Sequence, residues 1–420
     1  MTEHKKICVL GLGYVGLPTA CMFAVQGYAV VGVDVNPRVV DMVAKGSIHI
    51  EEAGLKTMLQ AAINSRNLVA KNEVVPADAF IIAVPTPLTS DKRADLRYVE
   101  RAAHSLVPVL ARGNLVILES TVPPGTTTGL LCEILSISGL KPGVDFYVAH
   151  SPERVLPGNI FSELVSNDRV IGGITPESAH AAGELYKTFV EGEIFLTDAT
   201  TAEMVKLTEN TFRDVNIGFA NELAMIAAQH DVNVFEVIAL ANRHVRVNVH
   251  QPGPGVGGHC IPVDSWFMIE KGDLGGGVIR SARRVNDSAP ERIGEFVKKV
   301  VGEGDDTKVC VWGVAYKGNV DDTRETPAIP IIKALQRNYK VGLFDFHVKD
   351  FEFELDSLEN SVTGASSILL LASHEEFKYL DPNLIGQRMK RRMIIDTRNC
   401  LDAKKWKEAG FEFYLLHKKL

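Results

Sequence analysis

The stretch Ile7-Cys8-Val9-Leu10-Gly11-Leu12-Gly13-Tyr14-Val15-Gly16 decides the reading of the N-terminal half. Its first four residues are apolar and partly β-branched, which suits a buried strand. The hexad Gly11–Gly16 follows at once, and a helical pattern over Leu17–Gln26 comes after it. In such a turn the first glycine permits the tight bend. The second lets backbone approach a pyrophosphate, and the third lets helix and strand pack closely. The helix then presents free N–H groups to an anion. Gly11, Gly13, Tyr14, Val15 and Gly16 are therefore expected against a dinucleotide. Asp34 ends the next strand, Ala29–Val33. A carboxylate there accepts hydrogen bonds from a ribose diol and repels a 2′-phosphate, so the expected cofactor is NAD.

Outward from this motif, Ala79–Val84, Leu115–Leu118 and Phe146–Ala149 also read as buried strands, with helical periods such as Val39–Lys45 between strands. Alternation of this kind implies a parallel, doubly wound sheet over residues 1–200. Ligands bind beyond the carboxyl ends of such strands, which makes Thr86 and Thr121 candidate hydroxyl contacts. A satisfied turn threonine is the competing reading for each. Residues 201–300 read as mostly helical. Thr200 with Glu203 resembles a capping box opening a helix with almost no breakers to residue 245. From Lys308 the strand–helix pattern resumes through Val309–Trp312, Pro327–Gln336, Lys340–Phe344, Ser367–Leu371 and Met393–Ile395. The fold class expected is thus α/β, with two Rossmann-like doubly wound domains, 1–200 and 301–420. A long central helix and helical region, 201–300, joins them.

Composition bounds the surroundings. With 45 Lys plus Arg against 52 Asp plus Glu, the net charge is −7, which gives no electrostatic case for nucleic acid. No apolar run is long enough to span a membrane, and the polar start Met1–Lys6 leaves no room for a signal peptide. Six cysteines without a Cys-x-x-Cys pair fit a reducing, cytoplasmic setting. Cys8, Cys21, Cys132 and Cys310 sit in apolar or helical patterns and read as small buried hydrophobes, while the sequence is silent on Cys400.

Cys260 differs. It ends the run Gly253-Pro254-Gly255-Val256-Gly257-Gly258-His259, a poor place to bury a thiol. Asp264 lies one helical turn on. A catalytic zinc needs about three protein ligands, and no further Cys or His has suitable spacing near His259 and Cys260, so no metal is expected. A nucleophile is the stronger reading. On the long helix, Lys206, Asn210 and Arg213 share one face, and Val205, Leu207, Phe212, Ile217, Leu223 and Ile226 suggest burial on several sides. Buried Lys and Asn need polar partners, which a ligand supplies. Glu153, just past the Phe146–Ala149 strand, is a candidate base or a surface partner of Arg154.

These residues together resemble the UDP-glucose/GDP-mannose dehydrogenase family from end to end. The likeness runs through Gly11–Gly16, Ser120–Pro123, Ser151–Gly158, Lys206 with Asn210, the Cys260 loop, and Lys317 with Arg324. The resemblance implies a primary alcohol oxidised twice, to a carboxylate, with two NAD molecules. Cys260 captures the aldehyde as a thiohemiacetal and carries the resulting thioester. Lys206 and Asn210 stabilise the developing alkoxide, Asp264 acts as base or positions water, and Glu153 assists hydrolysis. Thr121 positions water or nicotinamide. Arg154, Arg213 and Gly257 join Glu153, Lys206 and Asn210 at the substrate. Lys317 and Arg324 lie near its diphosphate or sugar. Arg246 reaches the neighbouring subunit's substrate, implying a homodimer. The runs Pro152–Pro157, Asn167–Gly173 and Thr201–Leu223 point within the family to UDP-N-acetyl-D-mannosamine and to cell-surface polysaccharide synthesis. UDP-N-acetylglucosamine or UDP-glucose is the alternative substrate.

Overall fold

The structure is a computed structural model that describes every residue except 1–5, 51, 156–157, 271, 273–274, 303, 305 and 420. Leu156 and Pro157 of the Ser151–Gly158 run, and Met1–Lys5 of the polar start, therefore lie outside the described residues. The chain divides into two compact units, Met1–Glu209 with Trp266–Lys271, and Asn210–Ser265 with Gly272–Leu420.

The first unit holds β1 (Lys6–Leu10), β2 (Ala29–Val33), β3 (Leu68–Lys71), β4 (Ala79–Ile82), β5 (Leu115–Leu118), β6 (Tyr147–His150), β7 (Arg169–Gly173) and β8 (Ile194–Asp198). Their order is β3-β2-β1-β4-β5-β6-β7-β8. The direction of winding reverses between β1 and β4, which places the ligand crevice there. All pairs are parallel except β6 with β7, where Ala149 faces Gly173 and His150 faces Gly172. Alternate strand residues feed two cores. Ile7, Val9, Ala79 and Ile81 enter one, and Cys8, Leu10, Phe80 and Ile82 the other. A strand covered on both faces reads as a continuous apolar run, which is why β1, β4 and β5 were legible. The strands β3, β7 and β8 were not expected. β3 is only partly buried, β7 starts at an arginine and ends in two glycines, and β8 exposes Phe195 and Leu196.

The second unit holds β9 (Lys308–Trp312), β10 (Lys340–Phe344), β11 (Ser367–Leu370), β12 (Met393–Asp396), β13 (Glu412–Leu415) and β14 (Lys418–Lys419), in the order β10-β9-β11-β12-β13-β14. Only β13 with β14 is antiparallel. Trp312 stacks on Phe377 at 5.2 Å and meets Trp406 edge-on at 6.0 Å.

Four helices carry the rest of the argument: α1 (Gly16–Val25), α2 (Ala199–Gln229), α3 (Val234–Ala241) and α4 (Ile261–Ile269). The capping box expected at Thr200 and Glu203 does not form. Asp198, closing β8, accepts from Thr201 N at 2.9 Å and from Thr201 Oγ1 at 2.5 Å, so α2 starts earlier. Glu203 is buried and turns instead to Gly125 N, Thr127 N and Thr127 Oγ1 at 2.5, 2.8 and 2.6 Å. The helix also ends before residue 245. Asp231 adopts φ 54°, and the Asn233 side chain accepts from Phe235 N to start α3. Of the apolar residues that suggested burial on several sides of α2, Leu207 is fully buried, whereas Phe212 and Ile226 are 57% and 47% exposed in the single chain. Among the described residues no helix is long and apolar enough to cross a membrane.

Candidate active site

In the first unit Gly11 has φ +93°, and its amide donates to Val33 O at 2.8 Å. A Cβ on Gly11 would lie 2.5 Å from Ala83 O, and one on Gly16 would lie 1.9 Å from Gly11 O. These two glycines serve the fold. Gly13 is different, since a Cβ there would meet nothing within 4 Å. The turn is therefore open where a pyrophosphate must approach, and no side chain caps the start of α1. Asp34 Oδ2 accepts from Leu12 N at 3.0 Å and Oδ1 from Asn36 N at 2.8 Å. Each oxygen keeps a lone pair for a ribose hydroxyl. The residues present thus fit a dinucleotide. Thr86 Oγ1 donates to the Thr121 carbonyl at 2.7 Å, so these two strand-end loops are tied together.

Glu153 is not a surface partner of the Arg154 guanidinium. Its Oε1 accepts from Arg154 N at 2.6 Å and Val155 N at 3.0 Å, and its Oε2 pairs with Arg169 at 3.1 Å. The Arg154 guanidinium goes to Glu209 at 2.6 Å and to Asp168 O at 2.9 Å. Arg169 is buried between two acids, since Glu119 lies 3.5 Å away, and it also covers the Tyr186 ring. Tyr186 donates its hydroxyl to Glu119. Burial pushes the Glu119 carboxyl up to about 7 despite the charge of Arg169. Sequence reasoning had missed this cluster, and a lone arginine after a loop carries no signal of it. Lys206, on α2 one turn before Asn210, is half-buried.

In the second unit the glycine-rich loop lies against residues 316–327. Gly258 N donates to Arg324 O at 3.0 Å, and a Cβ on Gly257 would sit 2.7 Å from both Glu325 O and the Tyr316 Cβ. Cys260 then opens α4, its carbonyl accepting from Val263 N at 3.0 Å and Asp264 N at 2.9 Å. Its Sγ lies 3.0 Å from His259 Nδ1. Asp264 is buried, and its Oδ2 accepts from Asn210 Nδ2 at 2.6 Å. Asp214, one turn beyond Asn210, accepts from Ser265 Oγ at 2.8 Å and Asn286 Nδ2 at 2.8 Å, and pairs with Arg283 at 2.5 Å. This anchors the first turn of α4 to α2. Tyr316 borders the same loop. Burial raises its hydroxyl pKa, with Asp322 and Cys260 adding to the rise. Lys317, Arg213 and Arg246 are exposed, and so is Arg324, which pairs with Asp322 at 2.6 Å.

The remaining thiols are held neutral by burial. Cys8 and Cys132 are pushed up to about 11, and Cys21, Cys310 and Cys400 to about 12. Cys132 is only half-buried, because its helix lies at the margin of its core. Cys400 joins the structural group beside Asp396.

The second unit repeats the joint of the first. Gly313 has φ +80° and donates to Phe344 O at 2.9 Å, as Gly11 does to Val33 O. Asp345, just after β10, accepts from Val314 N at 2.7 Å, as Asp34 accepts from Leu12 N. Here the acid is covered: His374 Nε2 lies 3.0 Å from Asp345 Oδ2, and both side chains are fully buried.

A dinucleotide cradle on one parallel sheet, a thiol at a helix start and a second nucleotide-type sheet define a nucleotide-linked oxidoreductase. The NAD binding domain of the UDP-glucose/GDP-mannose dehydrogenase family matches residues 5–190, its central domain residues 200–288 and its UDP binding domain residues 310–403. The chain belongs to that family, whose members are NAD-dependent nucleotide-sugar dehydrogenases, and its cofactor is NAD. It is 49% identical to a Methanocaldococcus jannaschii protein named UDP-N-acetyl-D-mannosamine dehydrogenase, over 98% of this chain and 96% of that one. It is 45% identical to a Ralstonia nicotianae protein named NDP-N-acetyl-D-galactosaminuronic acid dehydrogenase, over 96% and 98%. The solved UDP-D-ManNAc dehydrogenase of Pyrococcus horikoshii superposes with a TM-score of 0.92 at 44% identity, covering 98% of this chain and 99% of that one.

Proposed function

We propose that the chain oxidises the C6 alcohol of UDP-N-acetyl-D-mannosamine to the uronate, in the cytoplasm, for cell-surface polysaccharide. The division of labour follows the expected domains: NAD on residues 1–200, the catalytic loop and dimer contact on 201–300, and the UDP-sugar on 301–420. The observation that carries the chemistry is Cys260 at the start of α4, beside His259 and one turn before the Asp264–Asn210 bond. When bound, NAD accepts the hydrogen and electron pair removed from the sugar carbon in each of two oxidations. Lys206 and the second N–H of Asn210 stabilise the oxygen as it loses its proton. The α4 dipole favours a negative Cys260 sulfur, which adds to the aldehyde carbon while the carbonyl pair moves to oxygen. After the second oxidation the carbon is a thioester. Water adds with help from Glu153 or Asp264, the C–S bond breaks, and Cys260 regains its electron pair.

Purified protein with UDP-N-acetyl-D-mannosamine and NAD is expected to form two NADH per sugar. One NADH per sugar sinks the two-step scheme, and no turnover sinks the substrate. Side-by-side rates with UDP-N-acetylglucosamine and UDP-glucose test the alternative, in which the same machinery takes another sugar.

The active species is proposed to be a homodimer formed along α2. Phe212, Phe219 and Ile226 follow one another at heptad spacing and are 57%, 53% and 47% exposed, the pattern of a helix seam awaiting a partner helix. Sedimentation is expected to give twice the chain mass, and Phe219→Lys to shift it toward one. A single-chain mass for the unaltered protein overturns the dimer and the role of Arg246 with it.

A further inference from the structure

Cys260 Sγ and His259 Nδ1 lie 3.0 Å apart, and either atom can hold the proton between them. The backbone brings them together. Adjacent side chains of an extended segment point to opposite sides. Here the chain turns just before the pair, at Gly258, whose φ of +83° lies in the left-handed region that favours glycine. Gly258 N is tied to Arg324 O at 3.0 Å, and a Cβ on Gly258 would lie 3.1 Å from Tyr316 Cε2. Just after the turn, the Cys260 carbonyl is committed to Val263 N and Asp264 N. The two side chains are thus held on one side between fixed points. The charged and titratable groups around the pair are Asp322, Arg324 and Tyr316 on the segment packed against the loop, and Asp264 on α4, which accepts from Asn210. Burial works to raise the Asp322 carboxyl, but Arg324 outweighs it and holds the carboxyl low, with the His259 ring adding to the fall. Seen from the ring, the same attraction favours a protonated imidazole.

We propose that His259 is a catalytic residue, the proton partner of Cys260: its Nδ1 takes the thiol proton as sulfur adds to the aldehyde and returns it when the thioester is hydrolysed. The inference rests on the proposed role of Cys260 as nucleophile. The helix dipole favours a sulfur anion but holds no proton, so the addition needs a base in contact with the sulfur, and the hydrolysis needs the same group as an acid. In the addition the S–H bond breaks, its proton goes to Nδ1, and the pair left on sulfur forms the S–C bond. The carbonyl pair becomes an alkoxide, which expels hydride to the bound NAD and leaves the thioester. In the hydrolysis the oxygen of water forms the new C–O bond, and its protons pass to Glu153 or Asp264 and to solvent. The C–S pair returns to sulfur, and the Nδ1 proton follows it.

The test uses the full chain and has two arms. The first is alkylation by iodoacetamide, followed on the Cys260 peptide by mass spectrometry, and it needs no sugar. The other five thiols are held neutral by burial and react slowly. An ordinary thiol is only a few per cent ionised at neutral pH, so a proton partner shows most clearly there. His259→Asn keeps a polar group of similar reach but takes no proton. It is expected to alkylate about tenfold more slowly than the unaltered protein at pH 7 and equally fast at pH 9.5. The second arm is turnover of UDP-N-acetyl-D-mannosamine. In His259→Asn the kcat for uronate is expected to fall about a hundredfold with KM unchanged. The first NADH, read with the aldehyde trapped by a hydrazine, is expected at the unaltered rate. Imidazole in the buffer is expected to restore part of the rate to His259→Ala and none to Cys260→Ser, and such rescue requires a folded site. Equal alkylation of the unaltered protein and His259→Asn at pH 7 overturns the proposal, as does uronate formation at the unaltered rate in His259→Asn. Slower alkylation of His259→Asn, with no turnover of the sugar by the unaltered protein, removes the substrate reading and leaves the proton-sharing pair standing.

Discussion

Cys260→Ser is expected to lower uronate formation by about three orders of magnitude or more, the usual scale for losing a covalent nucleophile. Serine keeps the size and the backbone bonds to Val263 and Asp264, so α4 is expected to fold unchanged. What is lost is a sulfur that forms an anion readily, beside an imidazole and at the positive end of a helix. Lys206, Asn210 and Asp264 remain, so the first oxidation is expected to proceed. NADH formation should then stop near one equivalent per site, with aldehyde trapped by a hydrazine. Rapid-mixing absorbance at enzyme concentrations comparable to substrate reads this directly. Uronate formation at the unaltered rate would show that the thiol does not carry the acyl group.

The second large effect concerns stability. Arg169→Leu is expected to cost about 3–5 kcal/mol, because it strands two buried acids without their shared cation. Leucine fills most of the space, so the loss is electrostatic and not a cavity. The same cluster sets a pH dependence. The native Glu119 carboxyl, pushed up mainly by burial, holds its proton to about 7, whereas the unfolded carboxyl releases it near 4.5. Between those values the native state binds more protons, so this group's stabilising contribution is complete below pH 4.5 and is lost as pH rises through about 7. The loss amounts to roughly 3 kcal/mol. Glu119→Gln keeps an acceptor for Tyr186 and cannot ionise, so it is expected to flatten that slope. Thermal melts from pH 4.5 to 8 check both variants. An unchanged slope in Glu119→Gln would place the titration elsewhere.

The parts legible in the sequence share a cause. Strands covered on both faces show as apolar runs, so β1, β2, β4, β5 and the centre of the second sheet could be read directly. The glycine hexad was legible because its spacing states a geometric need, and Gly11 and Gly16 meet it. The Cys260 loop stood out because glycine and proline around a thiol are costly without a ligand. Edge strands such as β3 and β8 lack that contrast, since β3 alternates between core and solvent and β8 has no fully buried residue. The Arg169 cluster joins residues far apart in sequence, and no local pattern marks it. The cap of α2 misread for a different reason. Asp198, two residues before the expected cap Thr200, takes the helix start, and Glu203 is drawn away to Gly125 and Thr127.

The paired joints at Gly11 and Gly313 put one residue type under opposite selection. Asp34 is useful only while its outer lone pairs stay reachable, so its neighbours must remain small and wet. Asp345 is useful only while covered, so its neighbours must supply donors and exclude solvent. A designer wishing to change cofactor preference can therefore work at the first acid, provided the replacement still accepts from Leu12 N and Asn36 N. The identical substitution at the second would unfasten a loop from its sheet, and two positions that look equivalent in an alignment of the halves would tolerate different alphabets.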